Sequence, residues 1–124
     1  MKKQIATTKA PAAIGPYSQA IDLGNMVFIS GQIPVNPATG EIPEGIKAQT
    51  AQSISNIKAI LAEAGLSIDN VVKTTVFLAD MSLFTDMNEV YGQEFTAPYP
   101  ARSAVAVREL PKQVLVEIET IAVR

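Results

Sequence analysis

One arginine stands among small and apolar residues in Pro100-Ala101-Arg102-Ser103-Ala104-Val105, and two carboxylates interrupt a second apolar run, Val116-Glu117-Ile118-Glu119. Both runs have the composition of β-strands, where charge is costly to bury unless something pairs with it. A guanidinium offers a planar fork of N–H donors that matches a carboxylate. That carboxylate belongs either to the chain, as Glu117 or Glu119, or to a ligand. Two-residue alternation places Arg102, Ala104, Ala106 and Arg108 on one face, so that alanines leave room beside the guanidinium. The same alternation points Glu117 and Glu119 one way from a strand that reads as central, opposite Val114, Val116, Ile118 and Ala122. Strand patterning alone favours an internal ion pair, because such pairs commonly serve structure.

Other candidates have an ordinary reading beside a chemical one. Tyr17 follows a rigid loop and can be a phenol wall or proton donor, or simply a half-buried ring with a wet hydroxyl. Ser30-Gly31-Gln32 closes a strand with a hydroxyl and backbone N–H groups, which can bind a ligand or merely turn the chain. Asn88 lies off the main apolar stripe of its helix, the place of a solvated surface residue. Lys73 interrupts a strand as an edge or interface charge and is assigned no chemistry.

The chain contains no cysteine and no histidine. Disulfides, thiolate nucleophiles, cysteine-ligated zinc and every histidine-based triad, base or metal site are therefore excluded. Catalysis is left to Arg, Glu, Asp, Tyr, Ser, Thr, Lys, backbone groups and water, with no metal and no cofactor expected. Ten Lys and Arg against twelve Asp and Glu give a net charge of -2, without the basic stripe that nucleic-acid binding demands. No membrane span is expected, and Ile5-Ala6-Thr7-Thr8-Lys9 is too short and polar for a signal-peptide core, so a cytoplasmic protein is expected. The length of 124 residues fits one domain over 1–124, and 48% hydrophobic content suggests that some apolar surface is hidden at a subunit interface.

The elements that must position these residues follow from periodicity. Strands are expected over Lys3 to Thr7, Ser18 to Leu23 and Met26 to Ser30, the last two joined by a hairpin at Gly24-Asn25. Pro34, Pro37, Gly40 and Pro43 mark a loop. Ile54, Ile57, Ile60, Leu61 and Ala64 recur at helical spacing from Ile46 onward, and Gly65 stops that helix. Asn70 to Ala79 reads as a buried strand, and Leu83, Phe84, Met87, Val90, Tyr91 and Phe95 as a second helix begun near Ser82 and ended before Pro98 and Pro100. Strands at Arg102 to Arg108 and Val114 to Val123 complete an α+β domain, β-β-β-α-β-α-β-β, with two helices on one face of a sheet.

These segments resemble the Rid (RidA/YjgF) family. The resemblance rests on Ala10 to Tyr17, Ser30-Gly31-Gln32-Ile33-Pro34, Lys73-Thr74-Thr75-Val76-Phe77, Pro100-Ala101-Arg102-Ser103, Leu110-Pro111 and Val116-Glu117-Ile118-Glu119, which occur in the family's order over essentially the whole chain. It implies a chorismate-mutase-like fold, with a six-stranded, mostly antiparallel sheet, and a homotrimer with ligand clefts between subunits. The implied activity is hydrolysis of reactive enamine and imine acids, such as 2-aminoacrylate and 2-aminocrotonate, to 2-oxo acids and ammonia, which limits metabolite damage. By this resemblance Arg102 binds the substrate carboxylate, Glu117 stands by the reacting carbon and its water, and Tyr17, Ser30 and Gly31 line the cleft. Asn88 and Ala104 are further substrate-binding positions, and Glu119 is structural. Ala104 replaces a cysteine found in many members, so only a backbone role in holding water survives there. Thr96-Ala97-Pro98-Tyr99 is shorter than in some relatives, which bears on cleft size. Two rival functions use the same chain: a non-catalytic 2-oxo-acid-binding trimer that regulates a protein partner, and an RNA-directed activity that the composition argues against.

Overall fold

The computed structural model describes residues 1–124. Six strands, β1 (Lys3–Ile5), β2 (Ala20–Asp22), β3 (Met26–Gln32), β4 (Val71–Leu78), β5 (Ala101–Ala106) and β6 (Val116–Val123), form one sheet in the order β1-β2-β3-β6-β4-β5. All neighbours are antiparallel except β4 and β5. Helices α1 (Ile46–Glu63) and α2 (Phe84–Glu94) pack on one face, and the crossover through α2 is what makes β4 and β5 parallel. The α+β expectation holds, with β6 central.

Alternation decides which residues enter the core. Val116, Ile118, Thr120 and Ala122 of β6 are buried with Thr74, Val76 and Leu78 of β4 beneath the helices. From α1, Ile54, Ile57, Ile60 and Leu61 are fully buried, and each contributes about 1.5–3 kcal/mol of hydrophobic stabilisation. Gly65, at φ 74°, ends α1 in the left-handed conformation that residues with a Cβ avoid. Buried polar groups on α1 tie down loops: Asn56 Nδ2 donates to the Ile33 and Val35 carbonyls, and Gln49 donates to Pro43 while accepting from Leu115 N. The opposite face of the sheet carries no helix. It displays Phe28 (40% exposed) and Val105 (46%), and with them Phe77, Ile121, Lys73, Thr75, Glu117 and Glu119.

Several boundaries differ from expectation for identifiable reasons. The turn at Gly24-Asn25 is present, with Leu23 N donating to Met26 O at 2.8 Å. β2 begins only at Ala20, because the Gln19 side chain is engaged with Thr7, Ala10 and Pro11 and braces the preceding loop. β3 runs on to Gln32 through a bulge: Ile29 faces Thr120 and Gln32 faces Ile118, so that Ser30 and Gly31 together oppose one residue. Asp80, not Ser82, caps the approach to α2, its carboxylate accepting from Ser82 N ahead of a 3-10 turn over Met81–Leu83. β6 starts at Val116 rather than Val114, since Lys112 and Gln113 both take φ 54° in a turn that breaks the strand.

Candidate functional site

The bulge in β3 builds one half of the site. Ser30 Oγ donates to the Ser18 carbonyl at 2.6 Å, and Ser30 N donates to Gln19 O. The hydroxyl thereby fastens the loop that carries Tyr17, a residue 52% exposed. Gly31 sits against Glu117 so closely that a Cβ there would overlap Oε2 and lie 2.9 Å from Cδ. A side chain here would have to push the end of Glu117 aside. Burial pushes the Glu117 carboxyl above the usual range, and the negative charge of Glu119 adds to the shift. On the same open face, Tyr17, Ser30, Lys73, Thr75 and Glu119 line a groove of about 570 Å³, and Lys73 Nζ donates to Thr75 Oγ1. Strand β4, between β6 and β5, is not an edge, so of the two expectations for Lys73 the edge charge does not hold.

The other half lies across the sheet. Arg102 points from edge strand β5 toward the helical layer, where Nη1 donates to Asn88 Oδ1 at 2.7 Å. Its guanidinium carbon is 4.7 Å from the Tyr91 ring centre and 5.4 Å from that of Phe84. With Asn88, Tyr91, Gly92, Tyr99 and Pro100 it lines a cavity of about 500 Å³. Ala104 follows on the same side of β5 and packs against the core. The salt bridges of the chain are Lys47–Glu89, Lys58–Glu94 and Arg124–Asp22, so no carboxylate of the chain neutralises Arg102.

The internal pair favoured by strand patterning is therefore absent. Thr74 pairs with Arg102 across β4–β5 and is buried beneath the helices, whereas Glu117 pairs with Phe77 on the open face. Arg102 and Glu117 occupy opposite faces two strands apart. The structure sets Gly31 against Glu117 and lines one groove with Tyr17, Ser30 and Glu119, while Arg102, Asn88 and Ala104 lie apart from these at β5 and α2.

Phe84, Asn88 and Tyr91 are spaced four and three apart, which puts all three along one flank of α2. Asn88 is exposed, yet it belongs to the row that carries Arg102. Sequence reasoning missed Phe84, Tyr91 and Tyr99 as neighbours of the guanidinium. The helical spacing of the first two was a usable signal, whereas their facing β5 required knowledge of the crossover.

The family model described as Endoribonuclease L-PSP matches residues 7–124. The 2-iminobutanoate/2-iminopropanoate deaminase of Escherichia coli K12 is 57% identical over all of this chain and 99% of its own length. The chain belongs to the Rid family. Two solved Rid structures carry the same fold. RidA from the Antarctic bacterium Psychrobacter is 52% identical with TM-score 0.95, over 98% of this chain and 99% of that one. E. coli TdcF with bound serine is 54% identical with TM-score 0.94, over 98% of both chains. No helix of this Rid protein is long and apolar enough to cross a membrane.

Proposed function

We propose that this Rid protein, as one domain over residues 1–124, is a cytoplasmic 2-iminobutanoate/2-iminopropanoate deaminase. It hydrolyses 2-imino acids and their enamine tautomers to 2-oxo acids and ammonia in clefts between the subunits of a homotrimer. The observation that carries the reading is Arg102: a half-buried fork over two rings, with no carboxylate of its own chain in a salt bridge with it. A carboxylate from a small substrate is its natural partner. The names of the close deaminase relatives, and the serine bound to TdcF, support a small amino-acid-like ligand.

The chemistry needs no group beyond the chain and water. Arg102 binds the substrate carboxylate and orients the C2 carbon of the imine. Tyr17 donates a proton or hydrogen bond during enamine-to-imine conversion. Glu117 takes a proton from water as the water oxygen bonds to C2, and returns it to nitrogen. Glu117 then takes the proton of the new C2 hydroxyl and passes it to nitrogen as the C–N bond breaks and the C=O bond forms, releasing ammonia. A carboxyl held above its ordinary range is a better-matched base near neutral pH than a free one. Gly31 leaves Glu117 its place, Ser30 holds the Tyr17 loop, and Asn88 contacts the substrate's end of the guanidinium. Ala104 leaves its backbone to hold water.

Because Arg102 and Glu117 lie on opposite faces, one substrate touches both only if they come from different subunits. The uncovered sheet face, with its exposed Phe28 and Val105, supports that assembly. The test is a coupled assay: threonine dehydratase converts threonine, and 2-oxobutyrate formation is followed with and without this protein while free imine is trapped. Acceleration that Arg102→Ala abolishes, with the assembly intact by sedimentation, is expected. No acceleration, with 2-oxobutyrate still binding, would instead make the protein a sensor; loss of assembly in Arg102→Ala would make the arginine structural.

A further inference from the structure

Resting on the deaminase reading above, we infer that Tyr91 is a positioning residue for substrate recognition: its ring, fixed by Thr74, holds the Arg102 fork in the plane that receives the substrate carboxylate. Thr74 is fully buried in a central strand, an unfavourable place for a hydroxyl without a partner. Its Oγ1 lies 2.7 Å from Tyr91 Oη, so the two hydroxyls satisfy one another deep in the core. On its other side, the Tyr91 ring stacks on Phe95 with centres 4.3 Å apart. The ring is held at its hydroxyl tip and against a neighbouring face, and so has little freedom to turn.

Above this ring stands the guanidinium, 4.7 Å from its centre, with Phe84 5.4 Å away. The rings attract the cation through their negative faces. Asn88 takes one N–H from Nη1 and sets rotation about the guanidinium axis. A guanidinium carries five N–H donors in one plane. The two rings hold the cation, Asn88 engages one corner, and the remaining N–H donors are left for a ligand. Thr74 pairs in register with Arg102 across β4–β5, so the anchor and the fork it steadies rise from neighbouring strands. Burial raises the Tyr91 phenol above its ordinary value, outweighing the Thr74 hydrogen bond and the Arg102 charge, so the ring remains neutral near pH 7.

The test compares Tyr91→Leu, which removes the ring, with Tyr91→Phe, which keeps the ring and loses the hydroxyl. KM and kcat of imine hydrolysis, the Kd of 2-oxobutyrate and the unfolding temperature are read for each. Tyr91→Leu should raise KM and Kd about 3- to 30-fold, the range of one cation–π contact, with kcat little changed. Tyr91→Phe should recover most of that affinity, although both variants lose the buried hydrogen bond. If Tyr91→Leu does not fold, Phe84→Leu at the rim should raise KM by a smaller factor, ~2- to 5-fold. Wild-type affinity in Tyr91→Leu, or equal losses in the two Tyr91 variants that track unfolding temperature, would overturn the inference. An inactive wild type, or full activity in Arg102→Ala, would sink the deaminase reading itself and is distinct from both.

Discussion

The separation of Arg102 and Glu117 makes a quantitative prediction about mixed assemblies. Arg102 points under the helices and Glu117 stands on the open face, so the proposed site would draw the two from different subunits. Take Arg102→Ala and Glu117→Gln, each inactive alone; loss of a general base typically lowers rate by about 10²–10⁴-fold. Unfold the two together in equal amounts and let them reassemble at random. A site is complete when its arginine comes from the glutamine variant and its glutamate from the alanine variant. Each condition is met half the time, so about a quarter of wild-type activity should return, whatever the size of a closed cyclic assembly. Deaminase rate per subunit after reassembly is the readout, with each variant treated alone as the background. A mixture that stays at background, although mass measurements show mixed assemblies, would refute the shared site. Wild-type turnover in Glu117→Gln alone would remove that residue from the mechanism.

Other perturbations probe each half separately. Asn88→Asp puts a carboxylate where Arg102 Nη1 now meets an amide oxygen at 2.7 Å; by neutralising the fork and repelling the substrate, it should raise KM about 5- to 30-fold, less so at high salt. An unchanged KM would show that Arg102 does not bind the carboxylate. Gly31→Ala should fold, because the atoms in its way are the flexible end of Glu117, yet it should lower kcat by displacing that carboxylate; unaltered kcat would release Glu117 from its role. Burial raises the folded pKa of Glu117, so its protonated form is favoured in the fold, and that stabilisation is lost as pH rises through the raised value. At pH 7 Glu117→Gln should therefore unfold at a higher temperature than wild type, the gap closing under acid conditions; a lower unfolding temperature at pH 7 would contradict this sign.

The two-residue alternation of β6 was legible because Val116, Ile118 and Ala122 face a core while Glu117 and Glu119 do not, and one face of that strand is covered. The α1 stripe was legible for the same reason. Strand ends were less so where a side chain competes with the ladder: Gln19 holds three carbonyls of the loop before β2, and nothing local announces those partners. Asn88 is exposed, as a polar residue off the apolar stripe should be, and its spacing from Phe84 and Tyr91 sets it on the flank that meets Arg102. The face of Arg102 relative to its own alanines followed from alternation. Its face relative to Glu117 depends on strand order and on the parallel pairing of β4 with β5, which arise from a crossover and leave no mark at either residue.

That hidden geometry has a chemical consequence. Had Arg102 and Glu117 shared a face on adjoining strands, a guanidinium and a carboxylate would have formed a bridge. The bridge would lower the pKa of Glu117 and occupy the arginine's donors, spoiling a base and a receptor together. Opposite faces keep them apart in the single chain. Glu117 keeps a carboxyl raised by burial and by Glu119, and Arg102 rests on rings and an amide, which hold it without discharging it. In the proposed assembly a neighbouring subunit would bring the two to one substrate, with the ligand carboxylate on Arg102 and water at Glu117. Such an arrangement ties activity to assembly. Diluting the protein below the concentration at which subunits associate should abolish turnover while leaving each chain's helical layer intact, and activity per subunit that is independent of concentration through dissociation would show that one chain suffices.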